Sequence, residues 1–207
     1  KYVIFNDNVK ATSDIFKLKN YDYVFITLPT QSVREVINLY GKCENHQKII
    51  IGSKGIEIDT QLLLYDVISS ITNTNNISVL SGPCFSNEVA QNLPTAVTLA
   101  TKNKKIFNDI NLLFNNNNFR LYYSNDVIGC QLGGAIKNIY AIAAGITMGL
   151  QLGENAKSAL ISRCFAEIIR FGEALGANSN TLFGLSGLGD LILTCNSLKS
   201  RNTNFGH

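Results

Sequence analysis

Lys137 stands in the least polar stretch of the chain, VIGCQLGGAIKNIYAIAAGITMGL at 127–150, as that segment's one formal charge. Burying an unpaired ammonium costs several kcal/mol, so such a group finds a partner, shifts its pKa or reaches the surface. At helical spacing Lys137 shares its face with Cys130, Gly133, Gly134, Ala141 and Ala144, all of them small. Two readings fit. The small residues leave room beside the ammonium for something other than a side chain, or they admit a close helix while the lysine snorkels outward. Asn138, next along, faces elsewhere.

Other polar groups sit where loops leave strands. GSKG at 52–55 places Lys54 just past the apolar run KIII. In open α/β sheets that edge is where ligands bind, although an exposed turn has the same composition. In SGPCFSNE at 81–88, Gly82-Pro83 turns the chain, and Ser86 or Asn87 can cap a short helix whose free N–H groups face an anion. Asp190, between the glycines of GLGD and an apolar run, caps the next helix, pairs with an ammonium such as Lys137 or accepts from a hydroxyl. Ser200-Arg201-Asn202 flanks a guanidinium with two hydrogen-bonding side chains, which suits phosphate or carboxylate; an arginine there is equally at home in solvent. Taken together, the residue types describe a pocket for a small anionic substrate with lysine as proton carrier. They include no metal-ligand set and no Ser–His arrangement.

The chain has 207 residues, 45% hydrophobic and 16% charged, with a net charge of +3, which is globular composition. Its tightest basic group, Lys102, Lys104 and Lys105, is too small for a nucleic-acid footprint. The five cysteines (43, 84, 130, 164 and 195) are scattered without C-x-x-C spacing, as in small buried hydrophobes of a reducing compartment. Two histidines, His46 and His207, give little support to a histidine base or a zinc site. The 127–150 segment has the length of a membrane span but carries Gln131, Lys137 and Asn138 and lacks flanking anchors, so a buried helix is expected. No signal peptide is visible. A start without methionine and an end in NFGH make a fragment the expectation.

Strand-like runs at 23–28, 48–51 and 77–80 alternate with helical spacing at 30–40 and around 62–69, which predicts parallel strands with crossover helices. A strand at 95–101, a helix at 104–114 and a strand at 119–123 follow, with the asparagine tract at 115–118 as a turn. From 125 the pattern turns helical. A long helix reaches about 150, capped by Ser124 or Asn125, and a second spans 155–175 with Gly176 as its C-terminal cap. The expected boundary divides the chain into 1–124 and 125–207.

KG after a strand, SGP-x-F-x-x-E, QLGGA-x-KN, GLGDL-x-LTC and SRN, in that order, resemble the NAD(P)-dependent glycerol-3-phosphate dehydrogenases over nearly the whole chain. The resemblance implies an α/β fold: a Rossmann-type parallel sheet, N-terminally truncated, followed by an all-helical domain of the 6-phosphogluconate-dehydrogenase-like kind, C-terminally truncated. It implies hydride transfer between NAD(P)H and dihydroxyacetone phosphate to give sn-glycerol 3-phosphate for glycerophospholipid synthesis. The setting it implies is a cytoplasmic protein compatible with a homodimer, with no nucleic-acid partner and no membrane span. By matching motif, Lys137 is the proton acceptor and also touches substrate. Lys54 touches substrate and cofactor, Gly82, Cys84, Asp190, Ser200 and Asn202 line the substrate, Ser86 lies at the cofactor, and Arg201 touches both. Two positions depart from the family pattern: Cys84 stands where Thr or Ser is usual, and Ser86 where Ala is common. No G-x-G-x-x-G turn occurs in the 207 residues. A hydroxy-acid or sugar-acid dehydrogenase of the same architecture is the alternative, as is an inactive fragment or an assembly domain. Burial and Lys54 would lower the pKa of Lys137 and a nearby Asp190 would raise it; spacing alone leaves the outcome open.

Overall fold

Short apolar runs bounded by Gly, Pro and Asn form the strands, and the periodic stretches between them form the helices. The computed structural model describes residues 7–114, 116 and 118–207; positions 115 and 117 of the expected asparagine turn, and residues 1–6, lie outside the described residues. Strands β1 (Tyr23–Ile26), β2 (Lys48–Ile51) and β3 (Ile77–Ser81) are parallel and are linked through α1 (Val33–Tyr40) and α2 (Leu64–Thr72). The run KIII is apolar throughout because the strand is covered on both faces. Ile49 and Ile51 meet Ile26, Ile77 and Val79 under Val33, Ile37, Leu64 and Ile68, while Ile50 joins Val97, Leu99 and Leu121 in a separate cluster on the other side.

The chain continues through α3 (Ser86–Ala90), β4 (Thr95–Ala100), α4 (Lys104–Leu113) and β5 (Phe119–Ser124), and the sheet order is β1-β2-β3-β4-β5. Ile106 and Ile110 of α4 cover the second face. The sheet is mostly parallel and Rossmann-type, with one departure from the expected direction. β4 runs antiparallel to β3, placing Ser81 opposite Thr98, and β5 is parallel to β4. The cause is the short connection. Five residues of helix rise only about 7 Å, less than half the roughly 16 Å length of a five-residue strand. α3 therefore cannot carry the chain back to start another parallel strand.

A helical layer follows: α5 (Val127–Gly149), α6 (Gly153–Ala174), α7 (Ser179–Phe183), a wide π turn (Leu185–Gly189), α8 (Asp190–Cys195) and α9 (Arg201–Gly206). The cap of α5 is Asp126, not Ser124 or Asn125. Its carboxylate accepts from the Gly129 and Asn178 amides, both at 2.8 Å, while Ser124 Oγ accepts from the Asp126 amide. An ionised acceptor suits a helix N-terminus better than a hydroxyl or amide does. α6 closes as expected at Gly176 (φ +84°), with Gly176 N–H on Glu173 O and Ala177 N–H on Gly172 O.

α5 is the mast of this layer, touching β3 on one side and α6, α8, α9 and the π turn on others. Leu132, Ile136, Ala141 and Ala144 pack with Ile168, Leu182, Leu191 and Cys195. The helix is long and apolar enough to cross a membrane, yet more than half of its apolar window is buried inside the protein. Tyr140, three residues past Lys137, is half-buried against the same cluster, as are Ile161 and Phe165.

The α5–α9 contact is backbone against backbone. A Cβ on Gly145 would overlap the Thr203 carbonyl and lie 2.8 Å from the His207 amide. Gly145→Ala should therefore lower stability by about 1–3 kcal/mol, the range for overpacking. Thermal or urea denaturation reads this directly; an unchanged midpoint would show that α9 is not seated as described.

Candidate active site

Lys137 lies midway along α5 and is 8% exposed. Its Nζ donates to Asp190 Oδ1 at 2.5 Å and to Thr194 Oγ1 at 3.2 Å. The small-residue face thus admits a partner carboxylate and does not release the lysine to solvent. Gly133 makes the approach possible, because a Cβ there would overlap the Ser186 carbonyl of the π turn that delivers Asp190.

Lys54 arrives from the sheet. Its loop is pinned to the carboxyl end of β1: the Gly52 and Ser53 amides both bond Ile26 O, Ser53 Oγ donates to Leu28 O at 2.6 Å, and Thr30 Oγ1 donates to Lys54 O at 2.9 Å. The side chain crosses to the helical layer, where Nζ donates to Asp190 Oδ2 at 2.6 Å.

Asp190, 1% exposed, therefore gives one oxygen to each lysine. It begins α8, where the helix N-terminus also favours an anion. One turn on, Thr194 accepts from Lys137 and donates to Asp190 O at 2.6 Å, and Thr203 Oγ1 of α9 donates to Thr194 O at 2.6 Å. Two ammonium groups against one carboxylate leave a net positive charge in a largely buried place, a setting for an anion. Burial first, and then the neighbouring Lys54 charge, pull Lys137 down from the ordinary 10.5 to about 8; Asp190 opposes them through its charge and hydrogen bond.

The expected site residues divide into groups. Lys54, Lys137 and Asp190 are in direct contact. Gly82 and Cys84 lie on the loop after β3, whose Pro83 packs near Gly189 beside Asp190. Cys84 is exposed, and its thiol is raised first by desolvation; Lys54 and Lys137 lower it and Asp190 raises it, so the sulfur lies within range of all three charges. Ser86 is exposed and is the first residue of α3, whose cap is Phe85, so neither Ser86 nor Asn87 caps it as expected. Phe85 provides the extended backbone that enters the helix there. Ser200 is buried, and its Oγ caps α9 by accepting from the Thr203 amide at 3.3 Å. Arg201 is exposed with no hydrogen bond or ion pair among the described residues, and Asn202 is half-buried beside it. This segment is tied to the sheet side by Lys199–Glu88 at 2.9 Å. Thr194 escaped the reading of the sequence, although its position four residues after Asp190 puts both on one helix face. Among the described residues, no three His, Cys, Asp or Glu side chains gather to hold a metal ion.

Comparison with known proteins gives the same picture at both ends of the chain. The family model for the NAD-dependent glycerol-3-phosphate dehydrogenase N-terminus matches residues 1–107, and the one for the C-terminus matches residues 126–207. A glycerol-3-phosphate dehydrogenase [NAD(P)+] of Erythrobacter litoralis is 46% identical over 97% of this chain and 60% of its own length. One from Parvibaculum lavamentivorans is 43% identical over 99% of this chain and 62% of its own. The crystal structure of glycerol-3-phosphate dehydrogenase from Coxiella burnetii superposes with a TM-score of 0.92 at 38% identity, covering 99% of this chain and 63% of that one. The chain thus spans about three fifths of the length of these relatives.

Because the folded pKa of Lys137 is about 8 against 10.5, the unfolded state binds more protons between those values, and this residue's contribution to stability rises with pH across that window. Asp190→Asn removes the influence that opposes burial and Lys54, so Lys137 should then titrate below about 8. Carbon-13 shifts of labelled lysine side chains measure it; an unchanged or higher pKa would contradict the balance described.

Proposed function

The chain belongs to the NAD-dependent glycerol-3-phosphate dehydrogenase family, and from that membership we propose that the full-length protein interconverts dihydroxyacetone phosphate and sn-glycerol 3-phosphate with NAD or NADP. The observation that carries this reading is the buried Lys54–Asp190–Lys137 cluster, with its depressed lysine and its surplus positive charge. We place the division between the sheet domain and the helical substrate domain at 124/125, supported by the end of β5 at Ser124 and the start of α5 at Val127. Feeding glycerophospholipid synthesis in the cytoplasm, as a homodimer, is the setting proposed; free thiols at all five cysteines suit a reducing compartment.

The residues present fit the reactive end of a nicotinamide dinucleotide. The Lys54 ammonium stands at the carboxyl edge of the sheet, and Ser86 and Arg201 are exposed and cationic or hydrogen-bonding. When bound, that group supplies or accepts the hydride. The chain's own residues manage the oxygen and its proton. As the ketone carbon gains hydride, negative charge grows on the oxygen, and Lys137 donates the proton that makes it a hydroxyl. In the reverse direction, neutral Lys137 takes that proton back. A value of about 8 keeps both forms accessible near neutral pH. Asp190 and Thr194 hold Lys137 Nζ in one place, so the proton moves along a fixed line. Lys54 stabilises the developing oxyanion and, by its charge, lowers Lys137. The unengaged Arg201 guanidinium, with Asn202, takes the phosphate, and that remote grip orients the carbonyl.

In the full-length protein, Lys137→Ala should cut kcat by at least about a hundredfold and abolish the limb near pH 8, above which wild-type ketone reduction declines as the ammonium deprotonates. A variant with near-normal rate and profile would remove Lys137 from the chemistry. Arg201→Ala should raise KM for dihydroxyacetone phosphate about tenfold or more while leaving the weak reaction of unphosphorylated dihydroxyacetone unchanged. Equal losses with both would contradict the phosphate role.

A further inference from the structure

Ser81 ends β3 with its hydroxyl shut away. The residue is 4% exposed, and its Oγ is the one buried side-chain oxygen or nitrogen without a hydrogen-bond partner among the described residues. Such atoms are rare in folded proteins, and each has a reason. The hydroxyl faces Gly134 of α5: a Cβ built there would lie 3.0 Å from Ser81 Oγ and 3.1 Å from Lys54 Cδ. Ser81 and the flexible stem of Lys54 therefore converge on the one glycine that leaves space between sheet and helix beside the charged cluster.

The chemistry of that cluster is lopsided. In their charged forms Lys54, Lys137 and Arg201 only donate hydrogen bonds. Both oxygens of Asp190 are already engaged by the two lysines. Thr194 serves Lys137 and its own helix, Thr203 serves Thr194, and Ser200 caps α9. A substrate hydroxyl needs an acceptor for its own proton, and the Ser81 oxygen is a buried one nearby without an engagement.

We propose that Ser81 is a specificity-determining residue that receives the substrate's unphosphorylated hydroxyl, reached when the Lys54 stem swings off Gly134 toward the bound ligand. This rests on the dehydrogenase reading given above and deepens it: the ligand recognised is a three-carbon phosphate ester carrying a free hydroxyl beside its carbonyl. A site that hydrogen-bonds a substrate hydroxyl discriminates against the analogue lacking it, because the buried protein partner is then left unpaired.

The test compares dihydroxyacetone phosphate with hydroxyacetone phosphate, which lacks that hydroxyl, in full-length wild type and Ser81→Ala. Wild type should favour the first in kcat/KM, and the variant should lose about tenfold of that preference, through KM for dihydroxyacetone phosphate alone. The ligand-free variant should melt at or above the wild-type temperature, since the substitution removes an unsatisfied group. Undiminished preference in the variant, with wild type active, overturns the role of Ser81 alone. A lowered melting temperature with unchanged preference does the same and makes Ser81 structural. If wild type reduces neither ester, the dehydrogenase reading and this inference fall together.

Discussion

The site depends on one carboxylate shared by two ammonium groups. Asp190 holds Lys137 with one oxygen and Lys54 with the other while almost wholly buried. Removing Asp190 would leave two ammonium groups uncompensated in a place that solvent reaches poorly, which is why the carboxylate stands between them. The same arrangement ties architecture to chemistry. Lys54 belongs to the sheet, and Lys137 and Asp190 belong to the helical layer, so the ion pairs also join the two parts of the fold. The surplus positive charge makes the place suited to an anion.

Backbone proximity makes that arrangement attainable. α5 presents glycine where the π turn and α9 come against it, and each approach would be blocked by a single added carbon. The π turn lets Asp190 open α8 with its carboxylate directed at α5, and Thr194, one turn later, secures the lysine from the same face. Helix packing and the geometry of the charged cluster are therefore one design: the close contacts that hold the layer together also set the Lys137–Asp190 distance. Burial lowers the Lys137 pKa, and the carboxylate limits how far it falls.

Much of this was legible in the chain. Strand and helix types, their order and their approximate bounds as far as residue 175 follow from local periodicity, because a buried strand such as KIII and a helix such as 104–114 announce their environments within a few residues. Beyond that point α7, the π turn, α8 and α9 had no bounds beyond a mainly helical character. The helix-ending role of Gly176 was equally local. Caps were read less well. Asp126 displaced the neutral neighbours expected to cap α5, and α3 begins without a side-chain cap, since several polar residues near a helix start compete and the backbone path selects among them. The reversal of β4 was missed because strand direction depends on where a connection can reach, and an apolar run carries no sign of its direction.

The sequence by itself determined the inventory: an isolated lysine among small residues, a second lysine on a strand-end loop, an aspartate in a glycine-rich turn, and the order of motifs that carries the family resemblance. Only the tertiary structure decided that the three charges meet, that Ser200 spends its oxygen on a helix cap, that Thr194 joins the site and that Ser81 is left without a partner. The physical reason is distance along the chain. Asp190 lies 53 positions from one lysine and 136 from the other, and no local pattern encodes contacts at that separation. Burial, which makes an ordinary lysine into one that titrates near 8, is likewise a property of everything packed around it.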